Sequence, residues 1–591
     1  MTRTKDDDET RTLGPGASAR RGPWDEVERA ALARRDAYAL LEGADAAARV
    51  AELGVLETYY AVKALGPEDA SPVLGLMTRE QLVGLFDLDV WQGDHVSPSD
   101  LLVWLGALRE VSTQKLADTV NGLDPELVAA TFARRLLIAR VVRDDDGTTQ
   151  ADWAANPPES LQPIIETPDR RFVIAARTED ALEGFDDDVS LDEIDEEERK
   201  QLLALVDTLY TELGPEVAGG ILRLAETDLV ADLEDTALRF RQARLEDLGF
   251  PDRTRAVELY APLPPERLDE RAAVEVPRIE QRLPALHAER LGRGLLRRAL
   301  DALPEVLADA EASAATVERV ELELVPLANA ALVADRVEPG AIEQVAECLE
   351  RVRAYLELGL AYGGADVSRA AERLARLPLR TIFGVGYGLT MRLATRARRL
   401  ERERRFTAGQ RFDLLGDRDR LLLDALLDAR PRVDLGEGRR PFRGLDDVDQ
   451  VAARLDALEA LARAVDALGL ASGAVALPRA VTPAEPRQRT IDAWLATVAL
   501  GAWGRDAVRA RALTRGELDA LAPALAERTP SLDADGPLAA LVRALPPDTV
   551  DAVRAALAPV LAELHASARA LVARGERPDP RFLPLVVEVD A

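Results

Sequence analysis

Along most of this chain apolar residues recur at intervals of three and four, the spacing that lines one face of a helix. From Trp24 the segment WDEVERAALARRDAYALLEGADAAARVAEL carries Ala and Leu in this way, with Gly43 as its stop. Leu202, Val206, Leu209 and Leu213 form a second stripe, and helical stripes then follow one another to about residue 575. The pattern breaks between 138 and 200. There Ile164 and Ile165 precede the turn-like tetrad Thr167-Pro168-Asp169-Arg170, and Phe172, Ile174 and Ala176 alternate with Val173 and Ala175. This predicts a β-hairpin. The closing RFLPLVVEVDA has room for one short strand.

One stretch occurs twice. Residues 65–86, LGPEDASPVLGLMTREQLVGLF, align without a gap on 213–234, LGPEVAGGILRLAETDLVADLE. The eight identities pair Leu65, Gly66, Pro67, Glu68, Ala70, Leu74, Leu76 and Leu85 with Leu213, Gly214, Pro215, Glu216, Ala218, Leu222, Leu224 and Leu233. A shorter form, Leu, one small or turn-forming residue, Pro and an acid, returns at Leu123, Leu263 and Leu545. Proline fixes φ at a helix entry, and the acid sits where the helix dipole favours negative charge. Capping-box spacing at Thr78/Gln81, Ser190/Glu193 and Thr514/Glu517, and Ser97 before Pro98, mark further helix starts.

These signals divide the chain into a disordered tail at 1–23, a helical module at 24–137 and a hairpin with an acidic linker at 138–200. A large helical domain at 201–575 and a tail at 576–591 follow. The expected fold is mainly α: a multi-helix array or superhelical bundle with one small β-hairpin insertion.

Composition agrees with packed helices. Hydrophobic residues make up 47% of the 591 and aromatics only 4%, so Ala, Leu and Val must fill the core. The net charge is −30, which argues against wrapping nucleic acid or lying on anionic lipid. Cys348 is the single cysteine, so no internal disulfide and no thiolate metal cluster can form, and a reducing cytoplasm is the expected location. LVPLANAALVA and AWLATVALGAW are shorter than the roughly 18 apolar residues of a membrane span, so no membrane insertion is expected.

Concentrated chemistry is hard to find. His95, His287 and His565 have no second ligand at metal spacing, and the DDDG near-match to a calcium loop has Val142 and Trp153 where acids belong. Gly384, Gly386 and Gly388 resemble half of a phosphate-loop fingerprint, without the following Lys-Ser/Thr, and read better as close helix packing. We therefore expect no cofactor and no metal, and no catalytic residues are assigned.

One constellation opposes the overall charge. Arg392, Arg396, Arg398, Arg399, Arg402, Arg404 and Arg405 crowd between Met391 and Phe406, with Glu401 and Glu403 among them. Of these, Arg392, Arg396, Arg399, Arg402 and Arg405 are the candidates for gripping an anion, a nucleic-acid backbone or an acidic partner helix, against the plainer expectation of a salt-bridged helix surface.

LETYYAVKALGPEDASPVLGLMTREQLVGLFDLDVWQGD at 56–94 resembles the opening module of a bacterial family catalogued as domain of unknown function 6178. RLEDLGFPDRTRAVELYAPLPPE, VPLANAALVAD and LLDARPRVDLGEGRRPFRGLDD are similar to the same family. The resemblance implies a large, helical, cytoplasmic bacterial protein and supplies no catalytic residue. The LGPED and TREQL pattern also looks like the N-terminal helical superhelix of MgtE-type magnesium transporters, over some 30 residues. Taken together, the expected function is a non-enzymatic scaffold for an unknown protein partner. An enzyme with dispersed Asp, Glu and Arg on an anionic substrate, and nucleic-acid binding through Arg392 to Arg405, are the alternatives.

Overall fold

Local chemistry starts the helices where it was expected to. Thr78 Oγ1 accepts from the Gln81 N–H at 3.2 Å while Gln81 Oε1 accepts from the Thr78 N–H at 2.8 Å, a complete capping box. Thr514 and Glu517 form another, and Ser97 caps the helix that Pro98 opens. This computed structural model describes residues 41, 44–144, 147–149, 164–177, 196–270, 283–407, 410–470, 481–482, 490–503, 505 and 507–588. The expected tail at 1–23, the Gly43 stop, the Ser190/Glu193 box and most of the acidic linker lie outside the described residues.

The chain forms two compact units. The first comprises Met1–Tyr260, Arg271–Arg353 and Asp366–Arg380, and the second Ala261–Glu270, Ala354–Ala365 and Thr381–Ala591.

In the first unit the elements run α1 (Ala46–Glu52), α2 (Val55–Leu65), α3 (Ser71–Leu76), α4 (Arg79–Asp89), β1 (Trp91–Gln92), β2 (His95–Val96), α5 (Pro98–Val111), α6 (Thr113–Val120) and α7 (Pro125–Arg135). Next come β3 (Leu136–Arg140), β4 (Val142–Asp144), β5 (Gly147–Thr149), β6 (Ile165–Glu166) and β7 (Phe172–Ala176). Then follow α8 (Glu196–Thr227), α9 (Val230–Asp247), α10 (Arg253–Val257), α11 (Ala285–Leu291), α12 (Gly294–Leu307) and α13 (Ala310–Asp335). Helices α14 (Ile342–Ala361) and α16 (Leu379–Glu403) contribute residues to both units, and α15 (Val367–Arg376) belongs to the first. Helix α7 packs against both α8 and α9, α2 against α4, and α10 against α13. Tyr59, Phe86, Trp104 and Phe132 are among the largest side chains fully buried in this core.

The two LGPE copies share more than sequence. Gly66 sits at φ 82, ψ 159 and Gly214 at φ 79, ψ 170, a region open in practice only to glycine. Each ends one helix and hands the chain to a proline. The matched residues take matched places: Ala70 and Ala218, Leu74 and Leu222, and Leu85 and Leu233 are all buried, while Leu76 and Leu224 are both half-buried. In the shorter motifs Pro125 opens α7, and Pro265 and Pro547 open 3-10 turns.

The expected hairpin is present. Residues β6 and β7 pair antiparallel with Ile165 opposite Ile174, and the Arg170 N–H closes the turn on Thr167 O at 2.8 Å. It is wider than expected, because β3 pairs along the other edge of β7, Leu136 opposite Ala176 and Arg140 opposite Phe172. All five β7 residues are buried as the middle strand of three. Short two-stranded ladders add β1 with β2 and β4 with β5. Helix α8 begins at Glu196, five residues before Gln201, since the last acids of the linker favour a helix first turn.

The second unit continues α17 (Asp417–Leu426), α18 (Leu445–Ala467), β8 (Val481–Thr482), α19 (Ile491–Gly501), α20 (Arg515–Glu527), α21 (Ala539–Ala544), α22 (Val550–Arg574) and β9 (Val587–Glu588). The closing strand pairs antiparallel with β8. Helix α22 packs against α18, α19 and α20 through Val553, Leu557, Leu561, Leu564 and Ala568. Together with the turn before it, over Pro547–Arg574, it is long and apolar enough by length and composition to cross a membrane, which the short uncharged runs of the sequence did not suggest.

Candidate functional site

In the second unit the arginine-rich segment forms the end of α16, and its arginines divide into two groups. Arg396 Nε donates to Glu459 Oε1 at 2.9 Å and its Nη2 to Asp456, while Arg405 Nε reaches Asp466 Oδ2 at 2.7 Å. All three acids lie on α18. The paired carboxylates hold Arg396 and Arg405 above the usual guanidinium range, against the opposing effect of partial burial. Arg399 reaches Glu403 one turn on, at 3.4 Å, and Arg402 Nε donates to Arg398 O. Arg392 and Arg402 are exposed. Two of the five candidates therefore face a neighbouring acidic helix, and Arg392, Arg399 and Arg402 face outward.

The FGVGYG glycines serve a close helix crossing. A Cβ on Gly386 would stand 1.8 Å from Tyr355 O, one on Gly359 2.1 Å from Ile382 O, and one on Gly388 2.3 Å from Leu263 O. No side chain fits between those backbones.

The first unit brings together residues that no local spacing connects. Asp87, 2% exposed near the end of α4, takes Arg244 of α9 in a bidentate pair at 2.6 and 2.8 Å. The same guanidinium holds Asp124 at 2.6 and 3.1 Å. Burial raises the Asp87 carboxyl above its ordinary range and the bonds from Arg244 oppose it. One helical turn earlier, Arg241 Nε donates to Asp87 O at 2.7 Å, and its guanidinium lies 4.9 Å from the Trp91 ring centre. Asp89 accepts from Tyr59 Oη at 2.8 Å, Trp104 Nε1 at 2.7 Å and Lys63 Nζ at 3.1 Å. Glu234 likewise gathers Arg134, His95 Nδ1 and the Val96 N–H. Every carboxylate in this hub is answered by donors, so its first effect is to lock α4, α7 and α9 together.

Two cavities flank the hub. One, of about 490 Å³, is lined by Arg79, Glu80, Val83, Gly84, Asp87 and Arg244, among others. The other, of about 560 Å³, is a groove assembled from three distant stretches, 88–94, 241–253 and 332–339. Its apolar surface comes from Leu88, Leu245, Phe250, Leu332, Val333 and Val337, and its charge from Arg241, Arg253 and Arg336 with Asp94, Glu246, Asp252 and Glu338. Burial raises the Glu338 carboxyl, opposed by Arg241 and by a backbone bond at Gly93.

Two further polar groups lie away from the hub, His287 fully buried and the Asp335 side chain 8% exposed. His287 Nε2 lies 3.2 Å from Tyr60 Oη, and burial pushes the imidazole down to about 3. Asp335 accepts from Tyr260 Oη at 2.9 Å and from Arg351 Nη2 at 2.8 Å, with Cys348 Sγ 3.6 Å away. The three histidines stand apart: His95 with Glu234, His287 with Tyr60, and His565 against Leu525 O. Among the described residues no three His, Cys, Asp or Glu side chains are grouped to hold a metal ion.

Sequence spacing missed the hub and the groove. The signal lay within FDLDVWQGD and RLEDLGFPDRT, which supply Asp87, Asp89, Trp91, Arg244, Phe250 and Arg253, but nothing local shows that the two stretches meet.

The chain belongs to a family of unknown function, DUF6178, whose model matches residues 25–588. No curated protein and no solved structure matches it.

Proposed function

We propose that this family member is a non-enzymatic helical interaction protein that holds a protein partner. The observation that carries the reading is the outer face of α9. Leu229, at its N-cap, and Phe240, three turns on, are 71% and 50% exposed on the same side of the helix. The spacing is about 16 Å and suits the apolar face of a partner helix. Arg241, Arg244 and Glu234 of the same helix are instead used in the hub. The reading puts the protein in a reducing cytoplasm, where Cys348 stays a thiol.

A photo-crosslinking residue at Phe240, in cells of the native host, tests this. One partner should be captured at that position, and the purified pair should bind at least ten-fold more weakly with Leu229→Ser and Phe240→Ser together. No adduct, or equal binding by the double variant, overturns the reading.

An enzyme acting on an anionic substrate is a second reading, and the raised Glu338 carboxyl, opposed by Arg241 in a groove that Arg253 and Arg336 also line, is what favours it. Turnover of a phosphorylated or carboxylated substrate that Glu338→Gln abolishes would establish it. Nucleic-acid binding through Arg392, Arg399 and Arg402 is tested by salt titration of labelled DNA and RNA.

A further inference from the structure

We propose that the outer face of α9 is covered, in the free protein, by the chain's own residues 24–40, folded as a helix and laid antiparallel along it. The proposal rests on the reading of that face as a docking surface and adds its regulation: a partner gains the face by displacing the segment. Residues 24–40 lie outside the described residues, and the face they would cover is open. Leu229 and Phe240 are 71% and 50% exposed, Asp232 and Ala243 are exposed, and Thr236 between them is half-buried.

Two seams of matching spacing carry the inference. On a helix begun at Trp24, one side presents Trp24, Val27, Ala31, Arg34 and Tyr38, in steps of three, four, three and four. Followed from its C-terminal end, the outer side of α9 presents Ala243, Phe240, Thr236, Asp232 and Leu229, in steps of three, four, four and three. Laid antiparallel, the two match position for position. Trp24 meets Ala243, large against small, while Val27 meets Phe240 and Tyr38 meets Leu229. Arg34 meets Asp232, and on the same edge Glu26 comes level with Arg239. Among the described residues neither Asp232 nor Arg239 forms an ion pair. Asp25 and Asp36 stand on the far side of the segment, away from α9. A parallel arrangement keeps the apolar pairs but sets Arg34 opposite Thr236 and Asp232 opposite Ala30, so the charges choose the antiparallel one.

The segment is also attached close enough. Gln81 Nε2 of α4 donates to Val50 O at 2.7 Å and Leu53 O at 2.8 Å, which fastens α1 to the start of α4. Arg244 of α9 holds Asp87 near the other end of α4. The chain from Leu40 to Ala46 can span up to about 20 Å, against a length of about 16 Å for α4, so the segment reaches α9.

Photo-crosslinking of the purified full chain, with no other protein present, tests this. Benzoylphenylalanine in place of Phe240 should link within the chain to the tryptic peptide 22–29, which holds Val27. In place of Leu229 it should link to the peptide 36–49, which holds Tyr38. Links in the reversed order, links elsewhere in the chain, a link to a second copy, or no link overturn the proposal. Arg34→Asp should lower the yield at both positions five-fold or more, and Arg34→Asp with Asp232→Arg should restore it to within two-fold of the parent. An undiminished yield in the single variant, or no recovery in the double, overturns it as well. Partner capture in cells is read in a separate sample, so the two ideas fail separately. A link here with no partner there removes the interaction reading and keeps the cover, and the converse removes the cover alone.

Discussion

Gly66 and Gly214 hold the same left-sided backbone conformation at the same place in two copies of one helix junction, with φ 82 and 79 and ψ 159 and 170. Nothing lies within 4 Å of a Cβ built on either glycine, so the requirement is set by backbone torsion and not by crowding. The repeat is thus a repeated bend. It is the part of the duplicated sequence that must be kept for α2 to pass into α3 and for α8 to turn within its length.

Gly66→Ala and Gly214→Ala should each therefore destabilise the first unit by about 1–3 kcal/mol. Gly220→Ala, in the second copy but at ordinary helical backbone with open space, should be neutral or stabilising by up to about 1 kcal/mol. Urea midpoints of the three variants make the comparison. Equal loss in all three would mean that bulk, and not torsion, matters here.

Removing Arg244 leaves Asp87 and Asp124 with their charges and without their shared partner. Arg244→Ala should cost about 3–5 kcal/mol, because Asp87 is almost wholly out of water. Arg244→Ala with Asp87→Asn should recover part of that loss, since the buried charge is gone. A denaturation double-mutant cycle reads the coupling.

His287 sets an acid limit. Its folded pKa is pushed down to about 3 from 6.5 by burial, so the native protein keeps it neutral while the unfolded chain protonates it. Stability is therefore intact above pH 6.5 and falls as pH drops from 6.5 toward 3. The contribution is about 2 kcal/mol at pH 5, and His287→Gln should flatten that part of the stability curve.

Asp492 has the opposite sense. Burial, and next the charge of Asp419, raise it to about 6 from 3.8, with Arg454 opposing. The native state holds the proton more tightly, so this group favours folding below pH 3.8, and that advantage is lost as pH rises through 6. At pH 7–8 Asp492→Asn should stabilise the second unit by about 1–3 kcal/mol, and at pH 3.5 it should do nothing. Thermal melts at the two pH values separate these outcomes.

The parts of the fold that could be read in advance are those with local causes. A hydroxyl three residues before a Glu or Gln satisfies backbone N–H groups wherever it stands, so the boxes at Thr78 and Thr514 follow from the sequence. Thr167-Pro168-Asp169-Arg170 makes its turn for the same reason. Strand β3 was hidden because Leu136, Leu137 and Ile138 follow Arg134 and Arg135 of α7 with no glycine or proline between to mark the end of the helix. The glycines of α16 could be read as packing residues, but the backbones they meet, at Tyr355 and Leu263, could not be named.

The sequence by itself determined the helical class and the proline-led helix entries of the segment repeated at 65–86 and 213–234. Only the tertiary structure decided which charges are spent and which are left over. Asp87 meets Arg244 across 157 residues and Asp124 meets it across 120, distances over which no periodicity carries information. Composition showed seven arginines crowded in one segment, yet two of them are consumed by acids on α18. Pairing depends on which side chains the packed helices bring within reach, and that is settled only when the core closes.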